Sequence, residues 1–354
     1  MHNLSQRLDE LMQPGWLFEE ADGALRCTAC GQRCLIRPGK RGICQMRVNK
    51  NGQLQVPWGY VAAANVDPIE KKPFMHFLPG SSALTFGMLG CNFHCDFCQN
   101  WVSSQALRDP ASESSLRYIQ EISPRDLARF AVNSGAQIIA SSYNEPLITT
   151  EWAIEIFKTA KDNGLKCVYV SNGFATPEAL LALQPYLDGY KIDLKTMTDE
   201  KYRSLGGNLQ VVQDTIQRAH DLGMWVEVVT LVIPDFNDSN EELWDTARYL
   251  STISRDIPWH VTAFYPTYKH LGVDRTSADT IQRAAEIGQE AGLRYVYAGN
   301  LPGRVGSLEN TYCPHCQTLL IERTGYALKQ ISITNEGTCP HCGEKIAGVW
   351  ALHS

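Results

Sequence analysis

Gly90-Cys91-Asn92-Phe93-His94-Cys95-Asp96-Phe97-Cys98 is the stretch on which the reading of this chain turns. It spaces three cysteines as Cys-x3-Cys-x2-Cys directly after a short apolar run. Three thiolates this close on one loop can wrap a corner of a cubane iron–sulfur cluster, and with no fourth cysteine beside them one iron is left open to another ligand. A structural zinc would ask for a fourth protein ligand, which His94, sandwiched in the loop, is poorly placed to give.

Outward from that loop, short apolar runs alternate with helical segments, the pattern of βα units on a parallel sheet. Strands are predicted at 83–89, 137–141, 167–171, 190–195, 225–233, 260–264 and 295–298. Helix starts are read at Ser123 with Pro124 behind it, Thr150, Thr176, Thr198 and Ser277, and helix ends at Gly135, Gly164, Gly223 and Gly292. Leu4, Leu8 and Leu11 predict a short helix stopped by Pro14-Gly15, and polar 103–115 reads as a loop. In parallel barrels the reactive groups gather at the C-terminal ends of strands. The strand ends here carry Ser141-Ser142-Tyr143-Asn144-Glu145-Pro146, then Ser171-Asn172-Gly173, then Lys191-Ile192-Asp193-Leu194-Lys195. The two-residue strand period puts Asp193 and Lys195 on one face.

Composition frames these motifs. The chain has 354 residues, 44% hydrophobic and 20% charged, so a folded core is expected; its net charge of −6 gives no field for a nucleic-acid backbone. No stretch reaches the roughly 18 apolar residues of a membrane span, and the first residues have no signal-peptide pattern, so a cytoplasmic location away from the membrane is expected. Of 12 cysteines, eight lie in two further quartets. Cys313-x2-Cys316 and Cys339-x2-Cys342 form two knuckles suited to tetrahedral zinc. Cys27, Cys30, Cys34 and Cys44 offer four more sulfurs, read first as zinc, with an auxiliary iron–sulfur cluster equally compatible with the spacing. Cys167 reads as a small buried hydrophobe.

The Cys91 motif, with an aromatic residue before its last cysteine, resembles the cluster motif of the radical S-adenosylmethionine (SAM) superfamily. What that resemblance implies is a [4Fe–4S] cluster on Cys91, Cys95 and Cys98, SAM on the open iron, and a 5′-deoxyadenosyl radical that abstracts hydrogen. Tyr143, Asn144 and Glu145 then resemble the segment that binds the methionine amino group, with Tyr-Asn-Glu-Pro where Gly-Gly-Glu-Pro is commoner. Ser171, Asn172, Asp193, Lys195 and His260 become further SAM contacts. The Asp-Leu-Lys string is similar to that of glycyl-radical activating enzymes such as pyruvate formate-lyase activating enzyme. Over nearly its whole length the chain resembles the radical SAM family of the AmmeMemoRadiSam system, through Cys27-x2-Cys30-x3-Cys34, Pro258-Trp259-His260, Tyr297-Ala298-Gly299-Asn300 and Asn310-Thr311-Tyr312-Cys313-Pro314-His315-Cys316. That implies partnership with Memo and AMMECR proteins and an external electron donor.

The expected architecture is a partial (βα)6 TIM-type barrel at 76–303, a Cys-rich module at 1–75 and a zinc ribbon at 304–354. The expected function is hydrogen abstraction from a protein or peptide. Radical modification of a small molecule or a side chain is the alternative, and a non-catalytic zinc scaffold is a third.

Overall fold

The computed structural model describes residues 3–352. The chain forms two compact units, each assembled from several stretches: 1–67, 82–190 and 200–224 in the first, 68–81, 191–199 and 225–354 in the second.

In the first unit, strands β1 (Ser82–Gly87), β2 (Ile138–Ser141) and β3 (Lys166–Ser171) pair in parallel, with Ile138 opposite Ala83 and Lys166. Their near-continuous burial is what a parallel strand covered on both faces requires. The crossovers are helices α1 (Pro124–Asn133) and α2 (Thr150–Asp162). Helix α3 (Pro177–Leu183) follows β3, and strand β4 (Gly189–Asp193) comes next along the chain. In the second unit β5 (Trp225–Val232), β6 (Trp259–Ala263) and β7 (Val296–Gly299) are again parallel, joined through α4 (Asn240–Ile253) and α5 (Ala278–Glu290).

The capping signals at Ser123, Thr176 and Ser277 work as read, and a helix, Asp199–Ser204, follows Thr198. Ser123, Thr176 and Ser277 each accept the backbone N–H three residues on, at 3.1 Å, and Gly135, Gly164, Gly223 and Gly292 all have positive φ. Thr150 is different. It is the first residue of α2 and its hydroxyl turns back to the Leu147 carbonyl at 2.9 Å, because a 3-10 turn at Pro146–Thr149 feeds the helix. Two further caps not read from sequence lie at Asn208 and Ser239; both side chains accept from the third residue of their helices.

The polar stretch 103–115 is largely helical. Asp109 caps a 3-10 helix at Pro110–Tyr118, and Ser112 donates back to the Gln105 carbonyl at 3.0 Å, so serines bonded to nearby carbonyls build the turns. The first helix, Leu4–Glu10, stops before Pro14, because Met12–Pro14 pairs as a strand with Gln55, Val56 and Pro57. Small antiparallel sheets of this kind make up the Cys-rich N-terminal segment. At the other end, Thr311–Tyr312, Leu319–Thr324 and Ala327–Ile331 form a three-stranded antiparallel ribbon.

Candidate active site

Strand β1 delivers the Cys91 loop, and close packing shapes it. Gly90 has φ +92°, and a Cβ there would lie 2.3 Å from Met46 Cγ, so glycine is required. Further on, Gly206 and Gly207 lie under the His94 and Phe93 rings, where a Cβ would sit 2.7 and 2.4 Å from ring atoms. The His94 N–H donates to the Leu205 carbonyl at 3.0 Å.

Within the loop, Cys91 Sγ accepts the Phe93 N–H at 3.3 Å, and Cys98 Sγ lies 3.2 Å from the Ser104 hydroxyl. Burial, helped by the Glu145 carboxylate and the Cys95 and Cys98 thiols, pushes the Cys91 thiol well up from its ordinary value. A buried thiol pushed up by two neighbouring sulfurs and a carboxylate marks a site short of positive charge, which an iron cluster supplies.

The ends of β2 and β3 close on this loop. Ser171 Oγ donates to Glu145 Oε1 at 2.7 Å, and the Asn172 N–H donates to Oε2 at 2.9 Å. Asn172 Nδ2 reaches Asn92 Oδ1 at 2.7 Å and lies 3.9 Å from Cys91 Sγ. Asn144 Oδ1 accepts the Met88 N–H at 3.0 Å, tying the β2 end to the run-out of β1. Cys91, Asn144, Glu145, Ser171 and Asn172 therefore converge, and Asn92 and Tyr190 join them; the Tyr190 hydroxyl donates to Ser171 Oγ at 3.2 Å. Neither was singled out from sequence, although Asn92 sits inside the motif.

Tyr143 adopts φ +67°, the left-handed conformation that glycine occupies without strain. Where Gly-Gly-Glu-Pro is commoner, Tyr-Asn-Glu-Pro here has a glycine-like backbone at its first position. Room for the tyrosine comes from Gly87, whose Cβ would meet Tyr143 Cβ at 2.9 Å and the Ser142 carbonyl at 2.5 Å.

In the second unit, Asp193 takes Lys195 Nζ on Oδ2 at 3.1 Å and the Lys191 ammonium on Oδ1. Burial would raise the Asp193 carboxyl, but the two lysines outweigh it and hold it down at about 2. Lys191 was missed from sequence, though it shares the period-two face. His260 is buried, with Nε2 on Glu227 Oε2 at 2.7 Å. Glu227 also accepts the N–H groups of Met75 and His76 and the Trp225 indole, each at 2.9 Å. A single acid inside apolar Trp225-Val226-Glu227-Val228-Val229 was the available signal for this hub. Tyr297, part of the string that carries the family resemblance, spends its hydroxyl between His76 Nε2 and Thr311 Oγ1.

The four sulfurs of Cys313, Cys316, Cys339 and Cys342 lie within 4.8 Å of one another, with 3.6 Å from Cys313 to Cys342 and 3.7 Å from Cys316 to Cys339. A tetrahedral ion with about 2.3 Å bonds to sulfur has edges of about 3.8 Å, so this tetrad has the dimensions of a single-metal site. The Thr318 hydroxyl and backbone N–H hold the Cys316 thiol down to about 5.

The profile of the Radical SAM superfamily matches residues 86–250, the span from β1 through most of α4. The chain belongs to the radical SAM superfamily. It is 37% identical over 339 residues to the uncharacterized protein MJ0808 of Methanocaldococcus jannaschii, covering 95% of this chain and 99% of that one. It is also 24% identical over 262 residues to GTP 3′,8-cyclase of Aquifex aeolicus (66% and 77% covered) and 24% identical over 245 residues to pyruvate formate-lyase 1-activating enzyme of Escherichia coli (62% and 93% covered). This radical SAM protein is thus an enzyme of a partial TIM-barrel-like α/β fold, and membership implies SAM and a [4Fe–4S] cluster. The scaffold reading falls away. Among the described residues, no helix is long and apolar enough to cross a membrane.

Proposed function

We propose that this radical SAM enzyme abstracts hydrogen from a protein or peptide, in the manner of a glycyl-radical activating enzyme. The observation that carries the reading is the convergence of Cys91, Cys95 and Cys98 with the Asn172–Glu145–Ser171 network, since three sulfurs leave one corner of a cubane to an external chelating ligand. When bound, the reduced cluster and SAM supply a 5′-deoxyadenosyl radical. The chain's own residues hold and orient. Glu145 fixes the Asn172 backbone and Asn172 braces Asn92 against Cys91, while in the second unit the Lys191–Asp193–Lys195 pairing keeps a carboxylate ionised.

Similarity to activating enzymes supports a protein substrate, and the Asp193-Leu194-Lys195 string points the same way. The finer placement in the AmmeMemoRadiSam family makes Memo and AMMECR proteins the first substrates or partners to try, with an external electron donor. Zinc is the ion that best suits the C-terminal tetrad.

The test is anaerobic SAM cleavage by the wild type and by Cys95→Ala. The variant should fold, by circular dichroism, and form no 5′-deoxyadenosine; undiminished cleavage would overturn the cluster assignment. A glycine-centred radical signal on an added partner confirms the protein substrate. Product formation on a small molecule with no protein radical rejects it, and the similarity to a GTP cyclase makes nucleotides the first small molecules to offer.

A further inference from the structure

The N-terminal quartet is built differently from the C-terminal one. Cys27, Cys30 and Cys44 are buried and Cys34 is half-buried, in a segment whose turns are drawn together by Cys27 N–H to the Cys34 carbonyl (2.9 Å) and Gly42 N–H to the Arg47 carbonyl (2.8 Å). The Ile43 N–H donates to Cys34 Sγ at 3.3 Å, as the Phe93 N–H does to Cys91 Sγ. Such N–H donors to sulfur are the surroundings of a metal thiolate. Cys27 lies close enough to push up the Cys30 and Cys44 thiols, and Cys44 adds to the push on Cys30. Among the described residues, however, the ligand group drawn within 4.8 Å is the C-terminal tetrad. The N-terminal quartet shares the wider arrangement of Cys91, Cys95 and Cys98. A single zinc needs the tight one, whereas a cubane spreads its cysteines over four irons.

Two buried donors point to the same occupant. Arg47, 1% exposed, is electrostatically coupled to Cys27 and Cys44, and its Nε has no oxygen partner. Asn92, fully buried in the radical-cluster loop, lies with its amide against Cys30, while its Oδ1 is 3.7 Å from Cys91 Sγ. Its Nδ2 likewise reaches no oxygen acceptor. Gln32 Nε2 grips the Asn92 carbonyl at 3.1 Å, and Arg108 bridges the Ile43 and Phe93 carbonyls, so the two cysteine loops are fastened together.

We infer that Cys27, Cys30, Cys34 and Cys44 hold a second iron–sulfur cluster, separated from the Cys91 site by the single side chain of Asn92, and that it passes electrons to that site. Electrons move one at a time. A low-potential one-electron carrier protein reduces the N-terminal cluster, which is reoxidised as the Cys91 cluster is reduced, and no bond is made or broken. Half-exposed Cys34, flanked by exposed Leu35 and Ile43, is the side open to that carrier.

The relay rests on the function proposed above, but the second cluster does not, and the variants separate them. The anaerobically reconstituted Cys91→Ala/Cys95→Ala/Cys98→Ala protein should keep about four irons per chain and give an electron paramagnetic resonance signal after dithionite. The complementary Cys27→Ala/Cys44→Ala protein should lose about half of the wild-type iron. Zinc in place of iron in the first protein, or unchanged iron in the second, overturns the assignment. Adjacency predicts that the fully reduced wild type gives a spectrum split by two interacting spins; a simple sum of the two variants' spectra overturns it. Asn92→Leu in the triple variant should lower the midpoint potential of the remaining cluster by removing a donor to sulfur, and an unchanged potential removes Asn92 from the coupling.

Discussion

Tyr143 shows how far one dihedral angle reaches. A tyrosine held at φ +67° carries roughly 1–2 kcal/mol of backbone strain, and it persists because the Ser142 N–H on the Phe86 carbonyl (2.9 Å) fixes the segment before it and the Glu145 contacts to Ser171 and Asn172 fix the segment after it. Tyr143→Gly is therefore expected to fold, and Tyr143→Val, β-branched at the same angle, to be less stable than the glycine variant by about 1–2 kcal/mol in urea unfolding. Equal stabilities would mean that the segment relaxes out of the left-handed region. The motif was legible in the sequence; the angle that makes it work was not, since tyrosine gives no local sign of a positive φ.

Helix α2 shows what a single element can organise. Its second residue, Glu151, is fully buried and takes Arg47 through two bonds of 2.7 Å, while its Oε1 accepts the Trp16 and Leu17 N–H groups. Burial alone would raise the Glu151 carboxyl, but Arg47 overcomes it and lowers the carboxyl below its usual range. A carboxylate in the first turn also suits the helix dipole. Glu151→Gln leaves the Arg47 charge buried with a weaker partner, so a loss of about 3–5 kcal/mol in unfolding free energy is expected at constant metal content. A loss under about 1 kcal/mol would show that water reaches Arg47. Helix α2 itself was legible from its periodicity and Gly164. Its role as anchor for a segment more than a hundred residues earlier was not, because nothing near Glu151 in sequence names Arg47.

At the scale of the molecule, a directed chain of hydrogen bonds stands out in the second unit. The Ala347 carbonyl can only accept, so His76 Nδ1 carries the proton at 2.7 Å and Nε2 accepts from Tyr297 at 2.6 Å. Tyr297 in turn accepts from Thr311, which accepts from Arg323 at 2.8 Å. Desolvation lowers His76 to about 4, despite the pull of Glu227. The folded chain thus stays neutral at His76 while the unfolded chain binds a proton below about pH 6.5. The stabilisation is complete above that pH and is lost as pH falls from about 6.5 to 4, by about 3 kcal/mol. Urea unfolding across that range should show the slope, and His76→Gln should flatten it; a wild type flat from pH 7 to 5 would refute the assignment.

Local chemistry fixed much of this protein in advance. The βα alternation, the caps at Ser123, Thr176 and Ser277, the three-sulfur loop and the two flanking quartets all follow from spacing along the chain, because periodicity, capping and close-set thiols act over a few residues. Tertiary structure decided what each group is joined to. Only folding brings Asn92 between Cys30 and Cys91, sets His260 on Glu227 rather than leaving its Nε2 open, and draws one quartet to single-ion dimensions while leaving the other wide. Those outcomes depend on packing between residues far apart in the chain, where burial and unpaired donors set the energies and no short-range pattern records them.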